Sequence, residues 1–105
     1  MTIRHYEIDA NTSGEHELVP ASEGQPIVVL AYALVVAGEV AVSFAVDGGA
    51  LTGEMPFAPN GGIACPYNPA GWFATPPGEA LLLDLSDDVA VGGHLVVQIG
   101  GPLRV

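Results

Sequence analysis

Residues 39–50, EVAVSFAVDGGA, restrict the fold more than any other stretch of the chain. Val40, Val42, Phe44 and Val46 alternate with Glu39, Ala41, Ser43 and Ala45, a period of two that suits an extended strand with one face inward. Asp47-Gly48-Gly49 ends the run with residues that tolerate the positive φ of a tight hairpin. Ahead of it lies IVVLAYALVV (27–36), continuous and rich in β-branched residues. A helix over Leu30–Val36 competes for this run, but Ile27, Val28, Val29, Val35 and Val36 favour a strand buried on both faces. Ala37-Gly38-Glu39 then predicts a hairpin joining the two runs.

The remaining runs repeat this length scale. TIRHYEI (2–8), His16–Val19, Ala50–Met55, IACPY (63–67), EALLLDLS (79–86) and HLVVQIG (94–100) read as short strands, and PLRV adds an edge strand. NPAGWFATPPG (68–78) reads as a long loop. The 14 glycines and 9 prolines are spread along the chain and supply a turn signal every ten or so residues. The expectation is one all-β domain, a jelly-roll-like β-sandwich of about eight short antiparallel strands. Residues 1–25 are polar and read as an arm carrying an edge strand; residues 26–105 read as the sandwich core.

Charge narrows the partners. Twelve acids face two basic residues, Arg4 and Arg104, for a net charge of −10. Nucleic acid and anionic membrane surfaces both need clustered cations, so neither is an expected partner. The longest strongly apolar run, 27–38, is too short to span a bilayer, and no signal sequence opens the chain. A single cysteine, Cys65, precludes an internal disulfide and reads as a structural thiol.

Catalytic patterns are absent. His5, His16 and His94 lack partners at metal-ligand spacing, and none of the four serines sits in a nucleophile elbow. Glu15/Glu17 and Asp87/Asp88 read as solvated acids, and Asp84, Asp87 and Asp88 lack the spacing of a calcium loop. The chain is read as non-enzymatic, with no cofactor and no metal.

That leaves the aromatic loop. Tyr67, Trp72 and Phe73 form a cluster on a segment bounded by glycine and proline. Its rings either cap one end of the sandwich or pack on a neighbouring copy, or else stack on a sugar ring or plug a partner's pocket. Few polar side chains nearby can grip hydroxyls, which favours assembly.

From Ile27 onward the layout resembles small all-β virion proteins of tailed bacteriophages. The alternating strand running into Gly-rich turns, the aromatic loop, GEALLL and the late VGGHLVV strand carry the likeness. The resemblance implies a homotrimer on the virion surface, a capsid decoration protein bound to the major capsid protein or to tail components. Arg4 and the polar arm lie outside the likeness; their composition is compatible with strand addition along such a shell. The alternative is a tail fibre or spike module that recognises a host-surface glycan through Tyr67, Trp72 and Phe73.

Overall fold

The computed structural model describes residues Thr2–Gly100. Their strands in order are β1 (Thr2–Ala10), β2 (Gly14–Val19), β3 (Ile27–Val36), β4 (Val40–Val46), β5 (Gly49–Ala50), β6 (Met55–Phe57), β7 (Gly62–Cys65), β8 (Phe73–Ala74), β9 (Leu81–Leu85) and β10 (Val91–Ile99). They make two five-stranded antiparallel sheets. The first has the order β1-β10-β3-β7, with β8 also on β3; the second has β2-β9-β4-β5, with β6 also on β4. Inward side chains of both sheets share one core. Ile8, Leu34, Leu95 and Val97 from the first sheet meet Val42, Phe44, Leu81 and Leu83 from the second.

Alternation places each strand's apolar set. In β9, Leu81, Leu83 and Leu85 are buried while Leu82 and Asp84 are half-buried on the opposite side. The Asp47-Gly48 turn joins β4 to β5 with Val46 opposite Gly49, as its residues predict. Where β10 crosses β3, Gly93 lies against the backbone of Ala33 and Leu34, and a Cβ there would collide with the Ala33 carbonyl. Only glycine fits at that crossing. At the opposite end of β3 the core is closed by a side chain acting as backbone partner. The Ile27 N–H donates to Thr75 Oγ1 at 2.9 Å, and the Thr75 N–H donates to the Ile27 carbonyl at 2.9 Å.

Several expectations change. The described residues form ten strands rather than about eight. Ala37–Glu39 is not a hairpin: β3 pairs with β10, β7 and β8, β4 pairs with β9, β5 and β6, and the short turn carries the chain from one sheet to the other. Such a crossing needs the same few turn residues as a hairpin, so the local sequence does not separate the two. The run 50–55 is broken, because the Leu51 and Thr52 N–H groups both reach the Phe44 carbonyl and Thr52 Oγ1 accepts from the Phe44 N–H. β3 is buried on both faces only over Ile27–Leu30; Val35, near its far end, is exposed. The loop 68–78 contains β8, and β10 begins at Val91 rather than His94. The polar segment 1–25 carries two strands, β1 and β2. It supplies one outer strand to each sheet and buries Ile8, Ala10 and Val19. The predicted strand at PLRV lies outside the described residues.

Candidate functional site

Register builds one unusual surface. Opposite residues in an antiparallel ladder share a face, so Ile3, His5, Glu7 and Asp9 of β1 stand with Gln98, Val96, His94 and Gly92 of β10. The same rows continue through Val28, Ala31, Ala33 and Val35 of β3, then Ala64 and Gly62 of β7. Along β3 and β7 this outer face carries the small residues Ala31, Ala33, Ala64 and Gly62, beside Val96 and His94 of β10. Ile3 and Val35 rise from it with more than half of their surface exposed. His5 and His94 come together on it, with ring centroids 5.5 Å apart, and Glu7 stands directly opposite His94. At the Val35 end an open groove of about 360 Å³ is lined by Asp9, Val35, Asn60 and Gly92 among others.

The aromatic loop lies over the other end. Both its flanks are tied to β3: the Asn68 N–H donates to the Leu30 carbonyl and the Trp72 N–H to the Val29 carbonyl, each at 2.8 Å. Between them Asn68 Oδ1 accepts from the Ala70 N–H, and the Gly71 N–H returns to the Asn68 carbonyl. Gly71 has φ of 86° and presses on Val28, where a Cβ would meet Val28 Cγ1. This contact seals Val28 beneath the loop. Trp72 Nε1 donates to the Pro66 carbonyl at 2.9 Å and clips the loop across its base.

The three predicted aromatics are thereby separated. Phe73 opposes Val29 with its ring inward, 5.0 Å from Phe44 and 6.0 Å from Tyr32. It is half-buried and packs against the core from the sheet's edge. Trp72, its neighbour in an extended segment, faces the other way and remains exposed, as does Tyr67. Adjacency in a strand is the sequence signal that would have divided this pair. Arg4 is exposed on β1 in the row Arg4–Val97–Val29–Phe73. Three inter-strand spacings, roughly 14 Å, therefore separate it from the aromatic loop.

The outer face of the second sheet has a different character. Glu15 stands opposite Asp84, and Glu17 opposite Leu82. Beyond them Asp88 Oδ1 accepts from the Ser13 N–H at 2.7 Å, and Ser86 Oγ donates to Asp87 Oδ2. These turn acids thus serve as local hydrogen-bond acceptors that tie the strand ends. Among the described residues no three His, Cys, Asp or Glu side chains gather closely enough to hold a metal ion. Cys65 is half-buried opposite Tyr32, where burial, with Cys65 adding to it, pushes the Tyr32 phenol up to about 12.

No protein-family model, no curated protein and no solved structure matches the chain.

Proposed function

We propose that the protein is a non-enzymatic structural component of a phage virion, a jelly-roll-type capsid decoration protein that assembles as a homotrimer on the head surface. One observation carries the assembly role: the two outer faces of the sandwich differ in kind. Among the described residues, the four exposed large hydrophobics, Ile3, Val35, Tyr67 and Trp72, lie on the outer face of the first sheet or in the loop against it. The second sheet presents Glu15, Glu17 and Asp84. The first face holds exposed hydrophobics over small residues, its acids Glu7 and Asp9 confined to the outer strand β1, and suits contact with protein. The second, with no exposed large hydrophobic among the described residues, suits solvent. The virion setting rests on the resemblance in layout.

The glycan reading draws less support. The Phe73 ring is turned towards Phe44 and half-buried, the Trp72 N–H is spent on Pro66, and the Asn68 amide is engaged within its own turn, its Nδ2 donating to the Gly71 carbonyl at 3.4 Å. Little polar chemistry is left to grip a sugar.

Val35→Asp, paired with Trp72→Ala, tests the assembly surface. Light scattering is expected to show an oligomer for the parent chain and a smaller species for both variants, with unfolding transitions close to the parent's. Unchanged mass in both variants would remove this face from the assembly. Head or tail structural genes beside the coding sequence are expected, and metabolic neighbours would contradict the virion setting.

A further inference from the structure

The four outer edges of the two sheets are not alike. β7 and β8 share one edge of β3 as short pieces, with Pro66 directly after β7. β5 and β6 likewise divide an edge of β4, and Pro56 lies within β6. β2 is six residues long, shifts register between Glu17 and Val19 and carries two glutamates. Short strands, prolines, bulges and charges are the devices that stop an edge from pairing with another chain. β1 has none of the first three. It runs nine residues without proline, glycine or lysine, in unbroken register with β10. Among the described residues no strand pairs with its far edge, and no turn, loop or side-chain hydrogen bond reaches it.

We propose that β1 pairs antiparallel with β1 of a second copy across a two-fold axis at Tyr6, joining two first sheets into one continuous sheet. This rests on the self-assembly reading above and deepens it by naming the edge and the register. Opposite residues must share a face, so the outward Ile3, His5, Glu7 and Asp9 must meet outward residues of the other copy. Two-fold registers centred on His5, Tyr6 or Glu7 satisfy this. The first pairs only residues 2–8 and sets His5 against His5. The third pairs only residues 4–10 and sets Glu7 against Glu7. The register centred on Tyr6 pairs all nine residues, Thr2 with Ala10 at each end. It places His5 opposite the second copy's Glu7 twice, an imidazole donor against a carboxylate acceptor, and leaves no like-charge pair. A self-complementary segment is what an isologous two-fold contact requires. The link uses an edge that a three-fold contact through Val35 and Trp72 leaves free, so the two surfaces together extend the assembly beyond a trimer.

Cysteine cross-linking of the full chain in a Cys65→Ser background tests the register. Opposite Cα atoms lie about 4.5–5.5 Å apart, within disulfide reach. Under mild oxidation Tyr6→Cys is expected to give a covalent dimer from most of the chain. A mixture of His5→Cys and Glu7→Cys chains should give the hetero-dimer. His5→Cys or Glu7→Cys alone should not cross-link, because each sits diagonally from its own copy at roughly 7–8 Å. Cross-linking of His5→Cys alone would overturn the register. An oligomeric native mass with no cross-link at any of these positions would overturn β1 pairing and leave self-assembly through another surface standing. A monomer with no cross-link would overturn both.

Discussion

Replacing Phe73 by alanine separates a core role from a contact role for the aromatic loop. The ring packs inward against Val29, at 5.0 Å from Phe44 and 6.0 Å from Tyr32. A fully buried Phe→Ala change costs about 3–5 kcal/mol. Phe73 is half-buried, so about 2 kcal/mol of that applies. The two ring contacts, at about 0.5 kcal/mol each, bring the total to about 3 kcal/mol. In urea, with a slope of about 2 kcal/mol per M, the midpoint falls by about 1.5 M. The melting temperature falls by about 12–24 °C. Far-ultraviolet circular dichroism at matched protomer concentration is the assay, because association adds its own stability. The slope should stay constant while the midpoint moves. A loss below about 1 kcal/mol, accompanied by a drop in native mass, would mean that the ring meets a partner and that its core placement is wrong.

Three further outcomes follow from the same geometry. Thr75→Val keeps the shape of a buried side chain but leaves the Ile27 N–H without its acceptor; chemical denaturation should show a loss of about 1–3 kcal/mol. Tyr32 holds its proton to about 12 in the folded chain against 10.0 for a free phenol. Over that window the unfolded chain has released a proton that the folded chain keeps, so stability is intact below pH 10 and falls as pH rises towards 12. Absorbance of tyrosinate against pH should show Tyr32 ionising only as the fold is lost; complete tyrosinate formation without unfolding would refute its burial. Glu15→Lys turns the Glu15–Asp84 opposition into an opposite-charge pair; melting at low salt should rise by the equivalent of about 0.5 kcal/mol, and added salt should erase the gain.

The sequence carried the strands better than their partners. Alternation in 39–46 and 81–85 is a local property and located the inward residues of β4 and β9 directly. The Ala37–Glu39 turn does not declare its role, because a sheet-to-sheet crossing and a hairpin ask for the same residues. β8 is silent for a related reason: two residues pairing with β3 leave no periodic trace, and only the tertiary ladder defines them. Phe73 and Trp72 share a residue type but not a direction, because neighbours in an extended chain point to opposite sides. The outer face of the first sheet was out of reach. It depends on β1 lying beside β10, which brings His5 to His94 across nearly the whole chain. No spacing rule connects those positions.

Native mass by light scattering, at low and high salt, tests the central claim of assembly through the first sheet most directly. The account predicts a multiple of the 10.7 kDa protomer, held or increased at high salt. An apolar contact is not screened by salt, whereas repulsion between copies of charge −10 is. A particle of 10.7 kDa at both salt concentrations, at the highest protein concentration reached, would contradict it.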